Sequence, residues 1–111
     1  MANNWNIPAD LEREVIERDR VCVYCGVAFT PGGLRRSRPS WEHIINDARI
    51  VTRENIARCC MGCNASKRAK DLAVWMQSAY CVTRGITAGT GAPVIRAALH
   101  SGRQRPGSPR L

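Results

Sequence analysis

Large aromatic side chains are scarce: three Trp, two Tyr and one Phe make up 5% of 111 residues. A chain this short with so few large side chains builds only a small core, and small domains often depend on a metal or on disulfides for stability. Long apolar runs are missing as well. No stretch approaches the roughly 18 residues a membrane span needs, and the opening MANNWNIPADLER lacks the basic start and apolar run of a signal peptide. Acids are the third shortage. Residues 20–111 carry four acids against fifteen Lys and Arg, a net of +11, whereas residues 1–19 carry five acids against two arginines, a net of −3. A surface that basic suits a polyanion such as nucleic acid; the plainer reading is that arginines keep a small protein soluble.

Cysteine is what the chain has in quantity, six in all. Cys22 and Cys25 in CVYCG, and Cys60 and Cys63 in CCMGC, form two CxxC pairs that suit one tetrahedral zinc site. A disulfide framework is the other use of six cysteines, but it requires an oxidising compartment. Without a signal peptide, a reduced cytoplasmic setting with Zn2+ thiolates is the favoured reading. A simple zinc ribbon has about 15 to 20 residues between its pairs; here 34 separate Cys25 from Cys60. The excess holds Glu42, His43 and Asn55. The four cysteines therefore read as a structural staple and the intervening loop as the working part. Cys59 and Cys81 are surplus and read as small buried hydrophobes; Cys59 competes with Cys60 as a ligand, and the CxxC spacing favours Cys60.

Along the chain, Pro8, the acids that follow it, and Leu11 and Val15 on one face predict a helix over 8–19. VCVYCG reads as a short strand turning through a zinc knuckle, with Gly26 supplying the tight turn. TPGGLRRSRPS is a basic loop in which Arg35, Arg36 and Arg38 are either a solvated charge run or phosphate contacts. WEHII and IARCC read as strands joined by the loop 46–57. Alternation along a strand points Glu42 and His43 to opposite faces, so a neighbouring segment must wrap around for both to serve one site. The spacing of Ala65, Ala69, Leu72, Met76 and Ala79 predicts one helix from Asn64 to about Tyr80, closed by Gly85. Gly89 and Gly91 mark a loosened link, 93–100 a short terminal helix, and SGRQRPGSPRL a disordered basic tail. Phe29, Trp41, Trp75 and Tyr80 read as core, while Trp5 has no evident place.

These residue types permit phosphodiester hydrolysis. That reaction needs a base for water and a cation for the charge on the phosphate and leaving oxygen. A neutral imidazole is the natural base near pH 7, and His43 is the candidate. Mg2+ keeps several waters, so one carboxylate and one amide oxygen suffice as protein ligands; Glu42 and Asn64 supply them. Asn64 follows Cys63 directly, so closing the zinc staple fixes where it stands, and Lys67, Arg68 and Lys70 flank the same helix start. Taken singly, His43 reads as structural more often than catalytic and Asn64 reads first as an N-cap; it is their combination that points to chemistry.

CVYCG, then EH, then EN, then CCMGCNASK resembles the HNH endonuclease family, in the subgroup with a four-cysteine zinc site. The likeness runs from about Asp19 to Lys67. It implies an α+β fold, a small zinc-stapled ββα-metal (His-Me finger) domain with flanking helices. Residues 1–85 would be the nuclease domain, with its ββα core over 40–80, and 86–111 a terminal helix and flexible tail. It further implies that His43 is the general base, that Asn55 braces the loop and orients it, and that Glu42 and Asn64 hold a catalytic Mg2+, Mn2+ or other divalent ion. Cys22, Cys25, Cys60 and Cys63 would hold the structural zinc. Arg35, Arg36, Arg38, Lys67, Arg68 and Lys70 would contact DNA. The sequence departs from the family pattern in having Glu at 42, where Asp or His is common, and in lacking a Pro soon after His43.

The expectation is thus a metal-dependent DNA endonuclease acting on duplex DNA as a monomer or weak homodimer, away from any membrane, in a bacterial or phage-infected cytoplasm. Products would carry 5′-phosphate and 3′-hydroxyl ends by the same resemblance. Two rivals stand beside it: a non-catalytic zinc DNA-binding module and a zinc domain for protein interaction.

Overall fold

The computed structural model describes residues 6–30 and 32–101, so the expectations for Trp5 and for the basic tail beyond residue 101 lie outside the described residues. Helix α1 spans Ala9–Arg18, starts after Pro8, carries Asp10 and Glu12 in its first turn and Arg18 in its last, and buries Val15. This charge order complements the helix dipole. α1 is fixed to the rest of the chain by one buried acid. Asp19 accepts two hydrogen bonds from the Arg18 guanidinium (2.7 and 2.8 Å) and one from the Arg58 backbone N–H (3.1 Å), while Arg18 also donates to the carbonyls of Arg53 and Ile56.

After a short 3-10 turn at Arg35–Ser37, strand β1 (Pro39–His43) pairs antiparallel with β2 (Ile56–Cys60), with Glu42 opposite Ala57 and His43 opposite Ile56. The first strand lies two residues earlier than WEHII predicts. Past His43 the Ile44 N–H still bonds the Asn55 carbonyl at 2.9 Å, but the Asn55 side chain, rather than a partner strand, takes up the Ile45 N–H and C=O. Strand alternation then divides the faces. Ser40 and Glu42 face the helix that follows β2, whereas Trp41 lies against Ile7, Val15 and Ile56.

The single helix predicted over 64–80 is three short ones: α2 (Met61–Lys67), α3 (Leu72–Trp75) and α4 (Ala79–Arg84). α2 begins three residues early because the Cys60 sulfur accepts the Cys63 N–H, so the zinc knuckle is also the helix cap. It ends where Arg68 takes a positive φ of 50°. The break lets Trp75 turn inward, where its Nε1–H bonds Ser66 Oγ (2.9 Å) and its ring meets Tyr24 edge-on at 4.9 Å. Apolar periodicity fits one long helix as well as three; the buried indole decides between them.

α5 (Pro93–Ser101) is present as predicted, and Gly85 caps α4 in the left-handed region. The link through Gly89 and Gly91 is anchored: the Ala92 N–H bonds the Val23 carbonyl at 2.9 Å, and Ile86, Ile95 and Ala98 belong to the same core as Tyr24 and Trp75. The whole is a small mixed structure of helices around a two-stranded antiparallel sheet and a four-cysteine cluster. Among the described residues no helix is long and apolar enough to cross a membrane.

Candidate metal centre and catalytic site

The sulfurs of Cys22, Cys25, Cys60 and Cys63 all lie within 4.8 Å of one another, and those of Cys25 and Cys60 are 3.8 Å apart. A tetrahedral ion with Zn–S bonds of about 2.3 Å sets its sulfurs about 3.8 Å from each other, so the cluster has the ligand set and nearly the size that zinc requires. The first knuckle closes because Gly26 adopts φ 77° and the Cys22 N–H bonds the Val27 carbonyl at 2.9 Å. Backbone N–H groups of Tyr24 and Cys25 point at Cys22 Sγ, and the Tyr80 hydroxyl donates to Cys63 Sγ at 3.4 Å. Donors aimed at sulfur favour thiolate, the form that binds metal. Hydrogen bonds from Cys22, Cys60 and Cys63 draw the Cys25 pKa far down. All six cysteines are free thiols. Cys59 lies outside the cluster, near Ser40, and burial raises its pKa, so Cys60 is the member of that pair that joins the centre.

Of the expected catalytic residues, Glu42, His43 and Asn55 sit at the other end of the hairpin, while Asn64 stands beside Cys63 in the middle of α2. Asn55 is buried and makes three hydrogen bonds: its Oδ1 accepts the Ile45 N–H at 2.7 Å, and its Nδ2 donates to the carbonyls of Ile45 (3.2 Å) and Ile50 (3.1 Å). One side chain thereby closes the loop that follows His43. The half-buried His43 has its pKa lowered, chiefly by burial, with the Asp47 charge opposing and the Lys67 charge adding to the effect. The shift favours the neutral ring.

Asn64 Nδ2 donates to Ser40 Oγ and to the Trp41 carbonyl, both at 3.0 Å, which ties α2 to β1 and leaves its Oδ1 out of those contacts. Glu42 is held differently. It is 4% exposed; its Oε2 accepts the Tyr24 hydroxyl at 2.6 Å and lies 3.0 Å from the Nζ of Lys67, itself 0% exposed. Burial raises the Glu42 pKa, against the opposing pull of the Lys67 charge and the Tyr24 hydrogen bond. A hydrated divalent ion needs oxygen ligands that still admit water. A sealed carboxylate already touching an ammonium does not fit one as it stands.

Of the six basic residues expected to meet DNA, Arg35, Arg36, Arg38, Arg68 and Lys70 are exposed and Lys67 is not. The roles of Tyr24 and Tyr80 as donors to Glu42 and Cys63 were not legible in the sequence. Tyr24 lies inside a CxxC pair, yet spacing says nothing about where its hydroxyl points. A groove of about 670 Å³ between the 44–55 loop and α5 is mostly apolar and is lined by Asn55 but not by Glu42, His43 or Asn64. Comparison with known proteins adds no assignment: no family model, no curated protein and no solved structure matches this chain.

Proposed function

We propose that this protein is an endonuclease that hydrolyses DNA phosphodiester bonds, with a ββα-metal core stapled by zinc. The observation that carries the reading is the joint placement of His43, Asn55 and Asn64 on one strand–loop–strand–helix unit whose base is the four-thiol centre. Asn55 closes the loop behind His43, and Asn64 ties the helix to the strand that bears it. His43, whose lowered pKa favours the neutral ring, takes a proton from the water that attacks phosphorus; the P–O3′ bond breaks, and the 3′ oxygen leaves with its electron pair and takes a proton from solvent. The exposed Arg35, Arg36, Arg38, Arg68 and Lys70 bind phosphates without regard to sequence. Six free thiols suit a reducing compartment.

The test is nicking of supercoiled plasmid by zinc-loaded wild type and His43→Ala, with Mg2+, with Mn2+ and with no added ion. Conversion to open circles by the wild type alone, with the variant folded, supports the reading. A second reading, a zinc-dependent DNA-binding module without catalysis, is favoured by the sealing of Glu42 under Lys67 and Tyr24. It requires that neither protein cuts under any condition while both retard DNA on a gel.

A further inference from the structure

Glu42, the acid that a divalent ion would need, already has a cation. The Lys67 ammonium is 3.0 Å from its Oε2, and among the described residues Lys67 Nζ has no aligned hydrogen bond of its own. A lysine with no exposed surface ordinarily gathers several acceptors; this one has a single carboxylate, shared with the Tyr24 hydroxyl. Lys67 stands three residues after Asn64 on α2, so the two share the helix face toward β1. The ammonium thus approaches Glu42 from the element that would also carry the second oxygen ligand.

We infer that Lys67 is a built-in competitor for a divalent cation at Glu42: ammonium and metal ion cannot both neutralise the one carboxylate, so Lys67 sets how weakly the protein binds Mg2+ or Mn2+. The electrostatic argument is direct. A divalent ion brought to Glu42 in the presence of Lys67 meets a positive charge at contact distance in a site closed to water, where charges are poorly screened. Removing the ammonium leaves a buried, uncompensated carboxylate, a costly state that a metal ion relieves. The inference deepens the nuclease reading and rests on it for its functional consequence, which is that cleavage requires high ion concentrations.

The experiment measures Mn2+ binding by electron paramagnetic resonance, and thermal stability with and without Mn2+, on zinc-loaded wild type, Lys67→Met, and the neutral pair Glu42→Gln/Lys67→Met. Lys67→Met is expected to bind Mn2+ about tenfold or more tightly than the wild type and to regain on Mn2+ binding the stability it loses without it. The neutral pair is expected to fold without Mn2+ and to lose the tightened binding. Should Lys67→Met bind no more tightly than the wild type, or remain unstable in Mn2+ while the neutral pair folds, the inference is overturned. It is equally overturned if the neutral pair keeps the tight binding, because Glu42 is then not the ligand. None of these readouts involves cleavage. Tightened binding in variants that leave plasmid intact, together with an inactive wild type, would sink the nuclease reading and leave the competition in place.

Discussion

The two ends of α2 treat positive charge in opposite ways. At its start, Cys60 and Cys63 meet Cys22 and Cys25 in a cluster of four thiols, with Arg36 and Arg84 lining the groove beside Cys25 and Cys60. Toward its end, Lys67 enters the protein and neutralises Glu42. In the first arrangement, thiols gathered this closely repel one another once ionised, and a metal ion would relieve that repulsion. The second is complete as it stands. A seven-residue helix can therefore carry one site that demands a cation and one that supplies its own, and the residue types decide which is which: sulfur that must ionise to bind, against a carboxylate with an ammonium within reach.

The largest effect that separates the two ends should come from removing zinc. Chelation, or Cys63→Ser, is expected to abolish the cooperative unfolding transition, since structural zinc contributes on the order of 10 kcal/mol to a small domain. Persistence of a sharp thermal transition in chelator would mean that the core around Trp75 holds without metal, and the contrast would fail. Next comes Asn55→Ala. It strips the Ile45 N–H and C=O of their partner inside the protein and should cost about 2–4 kcal/mol in urea unfolding. Zinc content should stay unchanged, because the lost contacts lie at the far end of the hairpin. Reduced zinc content in that variant would show the two ends to be one cooperative unit.

The pH dependence of cleavage sharpens the same contrast. His43 has a lowered pKa and must be neutral to accept a proton. Plasmid nicking should therefore rise about tenfold per pH unit at acidic pH and level off before pH 7, its midpoint below the ordinary imidazole value of about 6.5. A midpoint above that value would place the dominant influence on the Asp47 charge rather than on burial. The smallest expected effect is that of Tyr80→Phe, which removes the hydroxyl donated to Cys63 Sγ. Zinc affinity, measured against a competing chelator, should fall about tenfold, while Mn2+ binding stays as in the wild type. Equal loss of both would show that α4 supports the whole of α2 and not the thiolate alone.

Much of the site was legible because it is written in local spacing. Two CxxC pairs identify the four thiols, and a turn residue at Gly26 closes one knuckle, since two residues between cysteines suffice to bring sulfurs together. Asn55 was singled out in the sequence as a brace for the loop, but its three hydrogen bonds, two to Ile45 and one to Ile50, depend on how ten residues of loop fold back, which pairwise spacing does not encode. Helix α1 and the terminal helix α5 were legible within one residue at each end. The long helix was not. Its apolar period continues through Arg68, and only the burial of Trp75 against Tyr24 explains why the chain turns there.

By itself, then, the sequence determined that the chain carries two cysteine pairs that meet in one cluster, two short strands and a helical second half, and that its positive charge lies after residue 19. These follow from residue type and from contacts close along the chain. Only the tertiary structure decided what Glu42 and Lys67 do. One was expected to hold an ion and the other to face phosphate, yet they lie 25 residues apart in sequence and 3.0 Å apart in space. A charged side chain on a strand or a helix turn can face water or the core with the same local backbone; which it does depends on whether folding brings an opposite charge to meet it.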